Sequence, residues 1–309
     1  MLFFGLSGYL VGTSSIRSIR NGKWSWPNYL TNRLTRLYVA LIPALLLTLV
    51  FDTADRAVRL HKFALFAGPD KWKDFAGCFI FLQNAYVRPF GSDGPLWSLS
   101  CEFWYYILFP LVTLAIFRAR HRWLNLILAI AIAVFVRSAI LGLFPCWLLG
   151  VALGLLKDRL PDLSRRSGLL MGLAGVVLVC GAIVAQGLHV MPINYYYSDS
   201  IATIPLLWAG MKAPKATWQP YMALAVFFSE MSYTVYLAHL PFLDFLQTVW
   251  LRDRLWPATA THILLLAIPF TAALLYSYVL YRLFESHTDE VRRYVKAKLV
   301  PSEKRSAHA

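Results

Sequence analysis

The sequence predicts an all-α fold, a polytopic bundle of transmembrane helices. Hydrophobic residues make up 58% of the 309 positions and charged residues only 15%, whereas soluble domains carry about 25% charge. The mean hydropathy of +0.54 agrees with that composition. Several apolar runs approach the ~20 residues that a helix needs to cross ~30 Å of hydrocarbon. We therefore expect a protein embedded in a membrane.

Nine segments are predicted to span the membrane, and one shorter piece is not. The piece at residues 75–82 has too few residues to cross and is interpreted as re-entrant or interfacial. No repeat or low-complexity linker divides the chain, so we predict one membrane domain (1–285) and a basic tail (286–309). The predicted spans are residues 2–16, 37–51, 96–117, 124–141, 144–156, 169–186, 200–211, 231–250 and 258–281.

The formal charge of +14 raises the question of nucleic-acid binding, but its distribution indicates membrane topology instead. Of the 30 Lys and Arg residues, 21 fall in segments that one side of the membrane can share. By the positive-inside rule that side is cytoplasmic and includes the C-terminus. We expect membrane lipids, and no nucleic acid, as partners. The segments that hold these 21 basic residues are 17–36, 118–122, 157–166, 212–215 and 282–309.

The first predicted span contains small residues at regular intervals. Gly5, Gly8 and Gly12 stand at positions i, i+3 and i+7, which predicts close contact with another helix inside the bundle. Ser7 lies between them and is a candidate polar group for the bundle interior. A signal peptide is excluded as an interpretation, because the segment has neither a positive leader nor a cleavage site.

Arg33 and Arg36 stand three residues apart on a predicted helix with Pro27 in its early turn. The helical rise separates them by ~4.5 Å along the axis, so their guanidinium groups can bind neighbouring phosphates through paired hydrogen bonds. The other interpretation is that they are cytoplasmic anchors that follow the positive-inside rule. The residues alone leave both interpretations open.

Glu102 is an acid inside a long apolar run. Asp93 or Gly94 can cap this predicted helix, and Pro95 fits its first turn. An acid near the centre of a span costs roughly 2.5 kcal/mol or more and marks a function by default. The alternative is an interfacial Glu102 that pairs with an arginine and only stabilises helix packing. Hydroxyls that can share its helix face belong to Ser98, Tyr105 and Tyr106.

Ser232, Tyr236 and His239 form a polar stripe at i, i+4 and i+7 on a later apolar helix, just before Pro241. A lone histidine in a helix is more commonly a hydrogen-bonded core residue than a catalyst. Within a span its polarity favours an inward position. His239 is then either the base that deprotonates a hydroxyl or a group that orients Glu102 or the substrate. Both roles stay open.

Other reaction classes have weaker support. The four cysteines have no metal-ligand spacing, so we predict no metal site. The absence of G-x-S-x-G and H-E-x-x-H speaks against a hydrolase or a zinc protease. Trp97, Trp104 and Tyr105 can pack on a sugar ring or a lipid tail, although aromatic residues near a membrane surface more commonly form the interfacial belt.

Three stretches together resemble acyltransferase family 3, a family of bacterial inner-membrane enzymes that includes sugar O-acetyltransferases. They are F-F-G-L-S-G-Y-L (3–10), P-L-W-S-L-S-C-E-F-W-Y-Y-I-L-F-P (95–110) and S-Y-T-V-Y-L-A-H-L-P (232–241). R-L-T-R at 33–36 matches the R-x-x-R element of that family. Their order covers essentially the whole chain.

The resemblance implies a helix bundle in the bacterial inner membrane that transfers an acyl group. The expected donor is acyl-CoA such as acetyl-CoA, a co-substrate rather than a bound cofactor, and the expected acceptor is a carbohydrate or lipid-linked glycan. Glu102 and His239 are the candidate catalytic residues, and Arg33 and Arg36 the candidate donor-binding pair. The candidate substrate-binding residues are Ser7, Trp97, Ser98, Tyr105, Ser232 and Tyr236.

One feature of the family has no match in this sequence. Its first span carries an Arg and then a His, the presumed base, just before the F-F-x-x-S-G block, and here that block begins at Phe3. The nine predicted spans also place Met1 outside and the C-terminus inside. We therefore expect either a preceding span in the full protein or a truncated form whose activity is in doubt.

Two alternatives to an enzyme follow from the same residues. A transporter or flippase could use Glu102 and His239 as a proton relay, but the paired halves typical of transporters are not visible in the sequence. A catalytically inactive relative could act as a scaffold for polysaccharide assembly.

Overall fold

The computed structural model describes residues 1–59, 71–189, 195–214, 219–251, 257 and 259–299, and within them confirms the all-α prediction. The only extended pairing in those residues is one isolated bridge between Gln83 and Val87. Residues 60–70, residue 258 and 300–309 lie outside the described residues, so part of the predicted tail and the start of the last predicted span do too. The helices are α1 (Leu2–Ser7), α2 (Thr13–Arg20), α3 (Trp26–Arg59), α4 (Lys71–Phe79), α5 (Leu96–Phe117), α6 (Arg122–Leu141), α7 (Phe144–Leu156), α8 (Arg165–Gly187), α9 (Tyr195–Ala202), α10 (Ile204–Lys212), α11 (Gln219–Leu246), α12 (Ala260–Leu265), α13 (Ala267–Leu283) and α14 (Thr288–Leu299).

Five helices in the described part of the chain are long and apolar enough to cross a membrane, so the predicted count of nine is not confirmed. Several predicted spans are short helices: α7 has 13 residues, about 20 Å by the helical rise, against ~30 Å of hydrocarbon. The five are Trp26–Val58, Leu96–Phe117, Arg122–Leu141, Arg165–Gly187 and Ala260–Lys298.

The chain forms two compact units, and the first consists of Met1–Trp24 and Cys101–Trp218. Its centre is the packing of α1 and the π-helical segment Gly8–Gly12 against α7. A Cβ on Gly8 would overlap the carbonyl oxygen of Trp147, and a Cβ on Gly150 would overlap that of Gly5. Only glycine permits this approach of two backbones. The close helix contact predicted from the glycine spacing is confirmed.

The second unit consists of Ser25–Ser100 and Gln219–Ala309. Here α3 packs against α11, α11 packs against α13, and α14 packs against α3. Aromatic rings join these helices: Phe242 of α11 stacks on Tyr276 of α13 with ring centroids 4.3 Å apart, and Phe51 of α3 meets Tyr276 at 5.7 Å. Three helices thus form the core of the unit.

The piece predicted as re-entrant or interfacial corresponds to α4 and a buried turn that holds the start of α5. The amide nitrogen of Gln83 donates to the Leu96 carbonyl at 2.9 Å, and that of Asn84 donates to the Trp97 carbonyl at 2.8 Å. The Ser100 hydroxyl donates to the backbone carbonyl of Gln83 at 2.7 Å. These bonds fix the first turn of α5, because side chains there bind main-chain carbonyls directly.

Candidate functional site

Glu102 is buried in the first unit, with 3% of its surface exposed. Its Oε1 atom accepts a hydrogen bond from Ser7 Oγ at 2.9 Å and a short one from the Tyr106 hydroxyl. Ser7 Oγ in turn accepts a hydrogen bond from Trp147 Nε1 at 3.1 Å. Three side chains therefore form a buried hydrogen-bonded network around the acid.

The sequence explains how this network forms. Tyr106 follows Glu102 by four residues, so both lie on one face of α5. Ser7 directly precedes Gly8, and the missing side chains of Gly8 and of Gly150 on α7 let the two backbones approach closely. That approach brings the Trp147 indole within reach of Ser7. Glycine spacing and the helical repeat thus position the donors around Glu102.

Two donors at one carboxylate oxygen hold Glu102 in a single orientation. Because hydrogen bonds to an ionised group are stronger than neutral ones, the arrangement stabilises a carboxylate that would otherwise be costly in an apolar interior. A carboxylate held in this way can take up a proton or stabilise a neighbouring positive charge. This is the chemistry that the position of Glu102 in the sequence predicts.

Tyr105 and Tyr106 have different partners. The Tyr105 hydroxyl donates to the Ile140 carbonyl at 2.6 Å, and its ring packs against Phe144 with centroids 4.9 Å apart. Tyr105 is fully buried. Its predicted contact with substrate stays a prediction, whereas Tyr106 is the tyrosine that reaches Glu102.

Trp147 was absent from the predicted site residues. The available signal is chemical, because a buried indole N–H usually finds a hydrogen-bond acceptor. The sequence does not indicate which acceptor it finds, since 140 residues separate Trp147 from Ser7.

In the second unit, the start of α5 pairs with α11 through two hydroxyls. Ser98 Oγ and the Tyr236 hydroxyl lie 2.6 Å apart, and the Tyr236 hydroxyl also donates to the Pro95 carbonyl at 3.4 Å. The structure therefore brings together Ser98 and Tyr236, both predicted as substrate-binding residues. Trp97 is half-buried beside them on the first turn of α5.

His239 is half-buried on α11, and its ring is oriented by its own helix. Nδ1 lies 2.8 Å from the Val235 carbonyl and 3.0 Å from the Tyr236 carbonyl. Since carbonyl oxygens only accept, Nδ1 carries the proton and Nε2 of the neutral ring holds a lone pair. Nε2 can therefore act as a base. Ser232, the third member of the polar stripe, is exposed and donates to the Ser229 carbonyl of the same helix at 2.8 Å.

Arg33 and Arg36 each lie over an aromatic ring. The Arg33 guanidinium is 5.6 Å from the Tyr29 ring centroid, and that of Arg36 is 5.8 Å from Tyr233. Glu285 interacts electrostatically with Arg36 and accepts hydrogen bonds from the Thr234 backbone N–H at 3.1 Å and from the Thr234 hydroxyl. Each arginine is thus oriented by an aromatic ring, and Arg36 also by the Glu285 carboxylate.

A small apolar pocket lies directly after the arginine pair on α3. Val39, Ala40 and Pro43 line it from α3, Leu237 lines it from α11, and Leu280 lines it from α13. The pocket begins one helical turn beyond Arg36. Cationic and apolar surfaces therefore adjoin in the second unit.

Asp93 is a buried acid that the site predictions did not include. It is 0% exposed, and neither of its carboxylate oxygens has a hydrogen-bond partner in the described part of the chain. Its interpretation as a side-chain cap of α5 is therefore wrong, because a cap must accept a backbone N–H. Burial, and then the nearby charge of Asp52, raise the pKa of Asp93 well above its usual range.

Asp52 of α3 is bound by the residue before Asp93. The Ser92 backbone N–H donates to Asp52 at 3.1 Å and the Ser92 hydroxyl donates at 2.5 Å. A Cβ on Gly91 would overlap Asp52, and Gly91 has a φ of +60°. The loop before α5 needs glycine here both for its backbone conformation and for this contact.

The cysteines show no arrangement that binds metal. Within the residues the structure describes, no three His, Cys, Asp or Glu side chains form a group that could hold a metal ion. Burial is the main cause that raises the pKa of the Cys78 thiol to about 12. Cys78 is therefore a thiol, not a thiolate, at neutral pH.

The comparisons with known proteins give one family. A family model described as an acyltransferase domain, from acyltransferase family 3, matches residues 1–282. Neither the curated proteins nor the solved structures contain a match.

Proposed function

The chain belongs to acyltransferase family 3, and from that premise we propose that it is a membrane O-acyltransferase for carbohydrate hydroxyls. It moves an acyl group, expected to be acetyl, from acyl-CoA to a carbohydrate or lipid-linked glycan. The observation that carries the proposal is the buried Glu102 carboxylate, held by Ser7 and Tyr106 in a chain matched by the family over nearly its full length.

The donor is bound through phosphates in this proposal. Arg33 and Arg36, oriented by Tyr29 and Tyr233, present two guanidinium groups to a diphosphate. Since guanidinium forks bind phosphate oxygens in pairs, lysine is a poor replacement at either position.

Proton transfer falls to His239 and Glu102. A base removes the proton of the acceptor hydroxyl, the oxygen attacks the thioester carbonyl, and the C–S bond breaks as the CoA thiolate leaves and takes up that proton. The Nε2 lone pair of His239 suits the base. Glu102 suits the stabilisation of positive charge or the relay of the proton.

Ser98, Tyr236 and Trp97 suit the acceptor and the reacting carbonyl. The paired hydroxyls of Ser98 and Tyr236 can donate to the oxygen on which negative charge develops. Trp97 offers a ring surface for a sugar. The proposed location is the bacterial inner membrane with a cytoplasmic C-terminus, which reporter fusions to the C-terminus can test.

The test is acyl transfer by the purified protein in lipid nanodiscs. Radiolabelled acetyl-CoA is incubated with a panel of lipid-linked glycans, and label in the glycan fraction is the expected result. Arg36→Ala should raise the KM for acetyl-CoA, and Glu102→Gln should abolish transfer without loss of acetyl-CoA binding. Absence of acetyl-CoA binding by folded protein would contradict the proposal and favour a scaffold role.

A further inference from the structure

The loop between α4 and α5 binds the first turn of α5 through the side chains of two adjacent residues. Gln83 Nε2 donates to the Leu96 carbonyl at 2.9 Å, and Asn84 Nδ2 donates to the Trp97 carbonyl at 2.8 Å. In the opposite direction, the Ser100 hydroxyl donates to the Gln83 carbonyl at 2.7 Å. Three hydrogen bonds therefore join this part of the loop to one turn of a helix. We call Gln83 and Asn84 the amide clamp.

The backbone of Asn84 has a conformation that few residue types adopt. Its φ is +70°, in the left-handed region, which asparagine tolerates better than most residues. Its backbone N–H donates to the Val87 carbonyl at 3.0 Å, which fixes the loop at this point. Asparagine therefore supplies both the backbone conformation and a side-chain donor. Glycine would keep the first and lose the second.

Gln83 occupies its position at a cost in stability. It is 0% exposed, and its Oε1 atom has no hydrogen-bond partner among the residues that the structure describes. A buried acceptor without a partner destabilises a folded protein, and in a native structure it requires an explanation. A role of the Gln83 amide in fixing α5 gives that explanation, because Nε2 binds the Leu96 carbonyl.

The turn that the amide clamp binds also carries the Ser98 hydroxyl. Ser98 Oγ lies 2.6 Å from the Tyr236 hydroxyl oxygen. The Pro95 carbonyl oxygen lies 3.2 Å from Ser98 Oγ and 3.4 Å from the Tyr236 hydroxyl, and both distances exceed the usual range of about 2.5–3.0 Å for such bonds. A proton of this pair is therefore available to a stronger acceptor, such as an oxygen on which negative charge develops.

The geometry of the hydroxyl pair depends on the orientation of this turn. Leu96 and Trp97 directly precede Ser98, so a rotation of the turn moves the Ser98 hydroxyl relative to Tyr236 of α11. Hydrogen bonds to two consecutive carbonyls oppose that rotation. Donors to a developing oxyanion act at about 2.7–3.1 Å, and a misplacement of about 1 Å can cost roughly 10²-fold in rate. Small movements of the turn are therefore enough to affect catalysis.

We propose that Gln83 and Asn84 are positioning residues for acyl transfer, which hold the Ser98 hydroxyl against Tyr236 through their bonds to the first turn of α5. The inference rests on the proposed function and adds the residues that keep its oxyanion donors in place. Neither amide contacts the substrate in this proposal. Their contribution therefore appears in the rate of transfer and not in the binding of acyl-CoA.

The test compares the kinetics of acetyl transfer in lipid nanodiscs, with radiolabelled acetyl-CoA and the lipid-linked glycan that accepts the label. Asn84→Gly keeps the backbone conformation and removes the donor, and Gln83→Met replaces the buried amide with an apolar chain of similar length. Each should lower kcat roughly 10–100-fold and leave the dissociation constant for acetyl-CoA nearly unchanged. The unfolding temperature of Gln83→Met should stay close to that of the wild type, because the substitution also removes the unsatisfied Oε1.

Tyr38→Phe is the matched control. The Tyr38 hydroxyl donates to the Phe79 carbonyl at 3.1 Å, so it makes the same kind of bond to the other end of the loop, where α4 ends. This variant should keep the kcat of the wild type. Equal losses in Tyr38→Phe and Asn84→Gly would assign the amide clamp to loop stability alone and overturn its positioning role.

A double-mutant cycle tests whether Asn84 acts through Ser98. If it does, Asn84→Gly should lower kcat by less than about threefold in a Ser98→Ala protein, because the positioned hydroxyl is already absent. An additive loss in that background overturns the positioning role.

The outcomes separate the two proposals. Unchanged kcat in both Asn84→Gly and Gln83→Met overturns the positioning role while the acyltransferase proposal stands. Failure of the folded wild-type protein to bind acetyl-CoA or to transfer its label overturns the proposed function itself. Thermal unfolding identifies misfolded protein, and Gln83→Met gives an independent result if Asn84→Gly does not fold.

Discussion

Ser7 and Glu102, 95 positions apart in the sequence, are joined by a 2.9 Å hydrogen bond in the interior of the first unit. The bond links a hydroxyl on a glycine-rich helix to the one acid of α5. The Ser7 oxygen also accepts the Trp147 N–H, while its hydroxyl proton is donated to Glu102 Oε1. Ser7 therefore orients Glu102 from a rigid helix contact, which is how buried polar networks specify a single geometry.

Replacement of Ser7 with Ala should impair both stability and turnover. The variant leaves the Trp147 N–H without its acceptor and removes one donor from Glu102, a loss of about 1–3 kcal/mol. We expect a lower unfolding temperature in detergent and a reduced kcat at nearly constant KM for acetyl-CoA. Ser14→Ala is the control, since the exposed Ser14 hydroxyl donates only to the Val11 carbonyl of its own segment. Equal effects of both substitutions would argue against a special role for Ser7.

Replacement of each neighbouring tyrosine with Phe should separate catalysis from folding. Tyr106→Phe removes a donor to Glu102, so we expect reduced kcat and a shifted pH–rate profile with modest loss of stability. Tyr105→Phe removes the donor to the buried Ile140 carbonyl and should destabilise the protein by about 1–3 kcal/mol. Activity per folded molecule should be retained in the latter variant. The reverse pattern would assign Tyr105, not Tyr106, to the reaction.

Features that depend on local spacing were predictable from the sequence. The interval of Gly5, Gly8 and Gly12 predicted a close helix contact, since small residues on one face permit it. The acid within an apolar run was recognisable from its desolvation cost. The number of spans was not, because the prediction counted apolar segments as short as 144–156, which forms the 13-residue α7, as full spans.

Features that depend on long-range packing were not predictable. The sequence predicts Asp93 as a helix cap. The preceding loop turns at Gly91, however, and the Asp93 carboxylate is buried. Trp147 lies 140 residues from the hydroxyl it binds. Arg292 and Arg293 are indistinguishable in sequence, and only the packing of α14 on α3 gives them different environments.

Replacement of His239 with Asn should decide between its two predicted roles. Asn can still donate to the backbone carbonyl one turn earlier, as Nδ1 of His239 does, but it has no counterpart of the Nε2 lone pair. If His239 is the base, kcat falls by about 10²–10⁴-fold with folding and donor binding retained. A loss below about tenfold assigns it to orientation instead.

Replacement of Gly8 with Ala should disrupt the first unit. The added Cβ would overlap the Trp147 carbonyl oxygen, which is main chain and cannot move independently. We expect destabilisation of about 1–3 kcal/mol, as for other overpacked interiors. Gly172→Ala on α8 is the control: its Cβ meets nothing within 4 Å, and Ala stabilises a helix by up to about 1 kcal/mol. Unchanged stability of Gly8→Ala would mean that the helices separate at no cost.

Replacement of Asp93 with Asn should change how stability depends on pH. Burial and then the Asp52 charge raise the pKa of Asp93 above its usual value of about 3.9, so the folded protein keeps a proton that the unfolded chain loses. The stability contribution is complete below about pH 4 and decreases as pH rises toward the folded-state pKa. Asp93→Asn removes this dependence. We expect the unfolding temperature of the wild type to fall relative to the variant between pH 5 and pH 8.

Asp162 provides the matched control, because its pKa is shifted in the opposite direction. Its fully exposed carboxylate accepts a hydrogen bond from Lys212 at 2.8 Å, which lowers its pKa. Its contribution is therefore present above the usual pKa and is lost only as pH falls through the lowered value, below the tested range. Asp162→Asn should leave the slope between pH 5 and pH 8 unchanged. An unchanged slope in Asp93→Asn as well would contradict the raised pKa of Asp93 in the folded protein.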